Sequence, residues 1–317
     1  MGQYLVWRIV QVIPVILITS IGVFLLLRLV PGDPALMYAG QDATPEVLQA
    51  VRVEMGLSEP LPIQYVIWLQ HVLQGDLGLS YASKFPVTEL IAQRVPATVE
   101  LTLAALVLSL AIALPTGIVA ALRSRTSIDL GITAFSSLSL AVPNFWLGLI
   151  LIIVFALVLG WAPSGGRVEL LRDPPQALRF LILPALTLSL HVGAELSRFL
   201  KASMLEVLSE DYVRTARAKG LAENVVVIRH ALRNALVPLV TVLGIRFGRL
   251  LGGAVIVESV FAWPGLGRLV LQAIGNRDYA VVQGVLLLLV MAFVVINLLT
   301  DLLYAFLDPR IRLGARR

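Results

Sequence analysis

Six long apolar segments constrain the fold of this chain more than any other feature. They cover residues 9–30, 97–122, 132–160, 180–200, 235–257 and 281–303, and hardly any charged residue falls within them. A helix needs about 20 mostly apolar residues to cross the hydrocarbon core of a bilayer, and each segment reaches that length. The segments are continuous and do not alternate apolar with polar residues, as the strands of a membrane barrel do. The sequence therefore predicts an all-α integral membrane protein with six transmembrane helices.

The first apolar segment is expected to remain in the protein as a membrane span. It follows Arg8 and resembles a signal peptide in that respect, but it is longer than the apolar region of a signal peptide. The sequence after it is RLVPGDP, which lacks a cleavage site of small residues. The composition agrees with a bilayer environment, since 58% of the residues are hydrophobic and 14% are charged. The chain has no cysteine, which excludes disulfide bonds and thiol chemistry.

The distribution of basic residues indicates the orientation of the spans. The sequence pI is about 9.8, a value that is also typical of proteins that bind nucleic acid. With both termini placed in the cytoplasm, the stretches on that side carry an excess of Lys and Arg, whereas the stretches on the other side carry an excess of Asp and Glu. This is the positive-inside pattern of membrane proteins. The basic residues thus indicate how the spans are oriented in the membrane, where the chain contacts lipids. We expect no nucleic-acid partner.

A segment of residues 31–96, between the first two spans, is predicted to form short amphipathic helices outside the membrane. Thr44, Pro45 and Glu46 have the pattern of an N-cap, a first-position proline and a first-turn acid. A second helix is predicted over residues 62–73, ending at Gly75. The predicted divisions are residues 1–30, with a cytoplasmic N-terminus and the first span; 31–96, the large extracytoplasmic segment; 97–305, a core of five spans with a cytoplasmic loop at 201–234; and 306–317, a basic cytoplasmic tail.

The third span contains Pro143, followed by Asn144. Proline removes a backbone donor and clashes with the preceding helical turn, so a helix that contains it bends. The second span contains Pro115, before Gly117. We therefore expect the second and third spans to be bent.

The fifth span combines a small-residue face with two arginines. Gly244, Gly248 and Gly252 recur every four residues, a pattern that lets another helix pack closely. At about 100° per residue, Arg246 and Arg249 lie roughly 130° from the centre of that face. Arginine inside a membrane is costly and needs a partner or water. Two interpretations stay open: an internal ion pair with Glu195 of the fourth span, or the lining of a polar pathway that favours anionic groups.

Residue patterns of catalysis are absent from the sequence. His71, His191 and His230 fall outside the membrane, within a span and inside the cell respectively, so they cannot share a metal ion. The sequence contains no GxSxG, HExxH or GxxxxGK[ST] motif. We expect neither an enzyme nor a metal site or cofactor in this chain. An autonomous channel or secondary transporter for a small anionic or zwitterionic solute is an alternative, although inverted repeats and midplane carboxylates are not found.

A basic stretch of residues 211–233, which we call the elbow, lies between the fourth and fifth spans. Its pattern predicts two short helices joined at Gly220, because glycine adopts the left-handed conformation in which helices often end. The product is a protrusion with a small apolar tip and basic flanks. Protrusions of this kind dock into grooves of other proteins.

The elbow resembles the cytoplasmic coupling loop of ABC importer permeases, known as the EAA loop. The general form of that loop is E-A-A, three residues, glycine, nine residues, then I-x-L-P. With Gly220 as the fixed glycine, Ala216 and Leu232 also match the general form. The departures are Arg214, Thr215, His230 and Arg233. They agree with the form of the dipeptide and oligopeptide permeases, DYVRTARAKGL followed by RHALRNAL and proline, which this chain carries from Asp211 to Pro238.

Further blocks resemble the same family along most of the chain. They are RLVPGDP from Arg28, GLSEPLPIQY from Gly56, GDLGLS from Gly75, RVPATVELT from Arg94, VPNFWLG from Val142, WPGLG from Trp263 and LLYAFLDPRIR from Leu302. Their order is similar to that of the first, B-type, permease subunit of the dipeptide, oligopeptide and nickel importers. The resemblance implies a type I importer permease fold with a large extracytoplasmic loop after the first helix.

The resemblance also implies partners, an energy source and functional residues. The partners are a second related permease, two cytoplasmic ATPases that bind Mg-ATP and an extracytoplasmic binding protein, in a bacterial or archaeal inner membrane. The solute is expected to be a di- or oligopeptide, with glutathione, nickel chelates and sugars as alternatives. The residues implied in coupling to the ATPases are Arg214, Thr215, Ala216, Lys219, Gly220, Leu221, Ala222 and Glu223.

Overall fold

Helices form nearly all the regular structure of this chain. The computed structural model describes residues 2–29, 34–40, 43–54 and 56–307, and its only bridge between extended residues in these ranges joins Leu79 to Pro86. The helices are α1 (Gly2–Leu29), α2 (Pro34–Ala39), α3 (Pro45–Glu54), α4 (Leu61–Leu73), α5 (Val87–Leu122), α6 (Ser127–Ala141), α7 (Asn144–Leu151), α8 (Pro174–Leu208), α9 (Asp211–Ala218), α10 (Glu223–Val225), α11 (Arg233–Val260), α12 (Leu266–Gly275) and α13 (Tyr279–Leu307). Two π-helical segments, Ile152–Val158 and Val226–Leu232, extend α7 and precede α11. The predicted all-α class is confirmed.

Several of the predicted spans are long apolar helices in the structure. Among the described residues, three helices have the length and hydropathy of a span: Val87–Leu122, Pro174–Leu208 and Tyr279–Thr300. Two bent pairs, Ser127–Ala141 with Asn144–Val158 and Glu223–Val240 with Val242–Val260, raise the number to five if each pair is one span. The first predicted span contains the shorter apolar stretch Val10–Leu25. A count of six spans therefore stays a prediction.

The third predicted span is broken at Pro143. Its halves meet at an angle of 104°, which confirms the bend expected of this span. Pro115 of the second span lies within the unbroken helix α5. Val142 has an extended backbone, with φ −84° and ψ 123°, because a residue before proline is driven out of the helical conformation. Pro143 then serves as the N-cap position of α7. Because Val142 and Pro143 are both nonhelical, the chain separates into two helices, α6 and α7, and does not form one kinked helix.

The chain divides into two compact units, and α8 is the central helix of the first, which comprises residues 1–6, 99–263 and 295–317. In this unit α8 contacts α6, α7 and α11. In the apolar 18-residue stretch of α8, 61% of the residues are buried, whereas in that of α5 the share is 28%. Gly117 of α5 meets α8 so closely that a Cβ there would lie 2.9 Å from Leu200 Cβ and 3.0 Å from the Ser197 carbonyl oxygen. The two helices can approach this closely because residue 117 has no side chain.

The second unit comprises residues 7–98 and 264–294. The start of α3 follows the predicted cap, since the Val47 N–H lies 3.5 Å from Thr44 Oγ1, and α4 begins at Leu61, one residue before the predicted start. Gly75 has φ +83°, as a helix-ending glycine requires. The predicted boundaries at residues 30, 96 and 305 remain predictions. Most of the basic tail, residues 308–317, lies outside the described residues.

A buried aspartate holds a loop in the second unit. Asp278, which is 3% exposed, accepts hydrogen bonds from Ser80 Oγ at 2.5 Å, from the Tyr81 N–H at 3.0 Å and from the Ala82 N–H at 3.3 Å. Each donor satisfies part of a carboxylate that is costly to bury without partners. Sequence reasoning missed this contact, since 198 residues separate Ser80 from Asp278.

Candidate coupling surface and charge cluster

The first arm of the elbow is α9, and it ends at Gly220 as predicted. Gly220 has φ +78°, in the left-handed region. The Leu221 N–H donates to the Ala216 carbonyl at 3.4 Å, and the Gly220 N–H donates to the Arg217 carbonyl at 2.9 Å. These two bonds form the Schellman arrangement that satisfies carbonyls at the end of a helix. Gly220 therefore fixes where α9 stops and the chain turns.

The second arm differs from the predicted short helix. After Gly220 the chain enters α10, and the helical conformation continues through the π-helical segment Val226–Leu232 into α11. The arm is thus the beginning of a long helix rather than a separate element.

The inner side of the elbow is a small apolar core. Val213, Ala216 and Val226 are buried there, packed against Val207 and Leu208 at the end of α8. Val213 and Ala216 lie three residues apart and so share one face of α9. This core joins both arms of the elbow to α8.

The outer side of the elbow is available to other molecules. Leu221, Val225 and Ile228 expose 41%, 38% and 64% of their surface. Of the eight residues implied in coupling, Ala216 is buried in the apolar core and the others are exposed: Arg214, Thr215, Lys219, Gly220, Leu221, Ala222 and Glu223. An exposed mixture of apolar and charged side chains is typical of a docking surface.

Two polar contacts brace the elbow, and the sequence analysis had predicted neither. Arg217 Nη2 donates to Glu223 Oε1 at 2.7 Å, and Arg217 Nε donates to Glu223 Oε2 at 3.1 Å. This pairing lowers the pKa of Glu223 and raises the pKa of Arg217. Asn234 Nδ2 donates to Tyr212 Oη at 2.7 Å and to the His230 carbonyl at 3.1 Å. The first contact ties α9 to the start of the second arm, and the second ties α9 to the beginning of α11.

A charge cluster of Glu195, Arg246 and Arg249 joins α8 to α11. Arg246 Nε lies 2.9 Å from Glu195 Oε2, and Arg249 Nη1 donates to Glu195 Oε1 at 3.0 Å. The Arg246 N–H is not aligned for a hydrogen bond despite its short distance, so this contact is an ion pair only. The internal ion pair, one of the two interpretations left open by the sequence, is therefore present.

The members of the charge cluster differ in exposure. The Arg249 side chain is 60% exposed, whereas those of Arg246 and Glu195 are 22% and 17% exposed. His191 precedes Glu195 by four residues and hence shares its side of α8. Its Nδ1 is buried without a hydrogen-bond partner among the described residues.

The glycines of α11 have different surroundings. Gly244 is buried against the Thr300 side chain of α13. Gly252 is exposed, and a Cβ there would have no other atom within 4 Å. Gly248 is partly buried. The predicted close-packing face therefore contacts α13 at Gly244 and is open at Gly252.

Two further ion pairs in the first unit were missed by sequence reasoning. Lys201 of α8 pairs with Asp129 of α6, and Asp129 Oδ2 also accepts from the Arg125 N–H at 3.0 Å. Arg167 donates to Glu100 Oε2 through Nε at 2.9 Å and through Nη2 at 2.7 Å. The partners are 72 and 67 residues apart, so no local spacing reveals them. Within the described residues, no group of three or more His, Asp or Glu side chains is placed to hold a metal ion.

Apolar helices of membrane-spanning length, one broken at a proline, define a polytopic membrane protein, and the exposed elbow is a surface on which another protein can act. The chain belongs to the family of binding-protein-dependent transport system inner membrane components. Residues 113–313 match the sequence model of that family. Residues 1–102 match the N-terminal family of such membrane components. The chain is thus an ABC importer permease, a transport subunit rather than an enzyme, as the sequence resemblance implied.

Relatives of similar length carry related names. A putative peptide transport system permease protein of Brucella abortus (strain 2308) is 46% identical over 305 residues, which are 96% of this chain and 97% of that protein. A probable peptide ABC transporter permease protein of Sinorhizobium fredii is 45% identical over 98% of this chain and 100% of that protein. The glutathione transport system permease protein GsiC of Escherichia coli O6:H1 is 44% identical over 98% of this chain and 99% of that protein.

The fold is similar to that of a solved transporter. Two inward-facing structures of the MetNI methionine ABC transporter align with TM-scores of 0.58 and 0.56. Each alignment covers 69% of this chain and 96% of the other, at 22% and 20% sequence identity. This likeness concerns the fold, and the family relationship rests on the sequence matches above.

Proposed function

We propose that this chain is one of two related permease subunits in an ATP-driven importer of di- or oligopeptides. The observation that carries the solute class is the similarity, at 44–46% identity over nearly the whole chain, to permeases named for peptide and glutathione transport. Glutathione is itself a small peptide with free carboxylates. The shared solute chemistry is thus a short, charged peptide.

In the proposed assembly, the elbow docks on a cytoplasmic ATPase subunit. The exposed Leu221, Val225 and Ile228 provide apolar contact area, and exposed charges surround them. The partner subunits bind Mg-ATP and hydrolyse it, while an extracytoplasmic binding protein delivers the solute. The second permease supplies the other half of the pathway.

The bracing of the elbow supports a mechanical role. Movement of an ATPase displaces α9, and the Arg217–Glu223 and Tyr212–Asn234 contacts transmit that displacement to the beginning of α11. The pathway then opens alternately to the two sides of the membrane. The change requires that the ATPase bind one arrangement of the elbow more tightly than the other.

The translocation pathway, in this proposal, passes the charge cluster of Glu195, Arg246 and Arg249. Arginine exposed to lipid within a span is costly, so the exposed Arg249 faces the pathway instead. The proposed topology has six spans, both termini in the cytoplasm and residues 31–96 outside it. The host membrane is the inner membrane of a bacterium or an archaeon.

Reconstitution tests this function. The chain is purified with its co-encoded subunits and placed in proteoliposomes, and uptake of radiolabelled Ala-Ala-Ala is measured together with ATP hydrolysis. We expect uptake to require ATP and the binding protein, and we expect peptide to stimulate ATP hydrolysis. The isolated chain in the same vesicles is the control. Peptide flux through the isolated chain would contradict the proposal and favour an autonomous transporter.

A further inference from the structure

We propose that Arg249 binds the free carboxylate of the transported solute and that Glu195 is its exchangeable internal counter-ion. The inference rests on the proposed function, and for a peptide solute the carboxylate is the C-terminal one. In the state without solute, Arg249 is paired with Glu195. When the solute binds, its carboxylate replaces that of Glu195 at Arg249.

The charge balance of the cluster leaves room for a second anion. Two guanidinium groups, those of Arg246 and Arg249, share one carboxylate, that of Glu195. Among the side chains that the structure describes, the cluster therefore carries one excess positive charge. A solute carboxylate at this place would neutralise it.

The geometry divides the two arginines into a held and an available one. Each contacts a different oxygen of Glu195: Arg246 lies at Oε2 and Arg249 at Oε1. If Arg249 leaves Oε1, the pair between Arg246 and Oε2 remains. Neither the carboxylate nor the less exposed arginine is left without an opposite charge, so the exchange avoids the cost of an unpaired buried ion.

Exposure and space also single out Arg249. Its side chain is 60% exposed and makes one hydrogen bond to Glu195, so most of its five donors are available. Gly252 follows Arg249 by three residues, so it is the member of the glycine face nearest to Arg249. A Cβ at Gly252 would have no other atom within 4 Å, so no side chain of the described residues fills the space beside it. The planar guanidinium suits a carboxylate, which it can bind through two parallel hydrogen bonds.

Protection of Arg249 from chemical modification tests the proposal directly. The complete wild-type assembly in proteoliposomes is treated with phenylglyoxal, which modifies accessible guanidinium groups, and the modified arginines are quantified by mass spectrometry. The probes are Ala-Ala-Ala and its C-terminal amide, each at concentrations that saturate uptake of Ala-Ala-Ala. We expect Ala-Ala-Ala to slow modification of Arg249 about tenfold relative to the amide, since a charge-assisted hydrogen bond is lost with the carboxylate. Arg123, an exposed arginine in the loop between α5 and α6, is the internal control and should react equally with both probes present.

Uptake kinetics provide a second readout. Arg249→Gln should raise the KM for Ala-Ala-Ala about tenfold or more, and Arg249→Lys should restore part of the loss because it keeps the charge. Arg123→Gln should leave the KM unchanged. Unchanged kinetics in Arg249→Gln would overturn the proposal, as would equal protection of Arg249 by the two probes. An Arg249 that resists modification without any peptide is covered by the second permease, which also overturns it. Failure of the wild-type assembly to take up any peptide would refute the proposed function itself.

Discussion

Arg217 and Glu223 form an ion pair across Gly220, with hydrogen bonds of 2.7 Å and 3.1 Å between guanidinium and carboxylate. The pair connects α9 to the helical segment that becomes α11. It therefore crosses the turn through which, in the proposed assembly, an ATPase moves the membrane helices. Because both side chains are substantially exposed, its value lies in fixing an angle rather than in stability.

Removal of this pair should loosen coupling. We expect Arg217→Gln and Glu223→Gln each to reduce peptide-stimulated ATP hydrolysis of the assembly less than about fivefold, a modest effect for an exposed pair. The double variant should be no worse than either single variant, because the same interaction is lost in all three. Steady-state ATPase assays measure the cycle. Additive losses would show that the two residues contact the ATPase separately.

The pair should keep its full effect near neutral pH and lose it only in acid. Hydrogen bonding to Arg217 lowers the pKa of Glu223 from its ordinary value of 4.5. A carboxylate with a lowered pKa contributes fully above its ordinary pKa, and the contribution disappears as the pH falls through the lowered value. The effect of Glu223→Gln on elbow geometry should thus be the same at pH 6 and pH 8. Spin-label distances between residues 214 and 228, which lie on the two arms, provide the measurement. A variant effect that changes between these pH values would contradict the assignment.

Substitution of Gly220 should weaken attachment of the ATPase. The left-handed conformation costs a residue with a side chain about 1–2 kcal/mol, and a β-branched residue adopts it least readily. Because a Cβ at this position meets no atom within 4 Å, the strain is in the backbone alone. We expect Gly220→Val to reduce co-purification of the ATPase while membrane insertion stays normal. Gly220→Asn is the matched control and should retain most binding, since asparagine tolerates this conformation. Undiminished co-purification of the valine variant would refute the role of the turn.

Asp278 should be important for the stability of the second unit. Asp278→Asn replaces one of the two acceptor oxygens with an NH2 group, which only donates. Either the Tyr81 N–H, bound at Oδ1, or Ser80 Oγ and the Ala82 N–H, bound at Oδ2, then lose their acceptor. Buried donors left without acceptors cost about 1–3 kcal/mol. Thermal unfolding and limited proteolysis of the loop at residues 80–85 would show the loss. Asp76→Asn is the control, because Asp76 accepts from the Gly78 N–H at an exposed site, and it should change little. Equal behaviour of the two variants would argue against the loop-holding role.

The pair of Lys201 and Asp129 should stabilise the contact between α6 and α8. The side chains are 24% and 11% exposed, so removal of one partner leaves a charge in a partly buried site. We expect Lys201→Met to lower the temperature of thermal inactivation of the assembly, because it leaves the Asp129 carboxylate without its opposite charge. Detergent-solubilised thermal inactivation measures this. Arg214→Met breaks an exposed pair with Asp211, at 73% and 97% exposure, and should cost far less. The reverse order of the two losses would disprove this account.

Local patterns account for what could be predicted at the elbow. The end of α9 at Gly220 and the bend at Pro143 were predictable, because glycine and proline act on the backbone of their own neighbours. The continuation of the second arm into α11 was not predicted. The stretch from Glu223 to Arg233 nevertheless contains no glycine or proline to stop a helix, which is why the arm can continue into α11.

The sequence by itself determined the membrane environment, the helical class and the family, because hydropathy, backbone conformation and motif order are properties of neighbouring residues. It also indicated that Glu195, Arg246 and Arg249 form an ion pair or line a polar pathway, since a charge within a span requires a partner or water. Only the tertiary structure decided which partner each charge takes. Glu195 bridges both arginines, Asp129 takes Lys201 and Asp278 takes Ser80 because helix packing brings together residues up to 198 positions apart. Packing likewise decided that Gly244 contacts α13 while Gly252, on the same repeat, remains open.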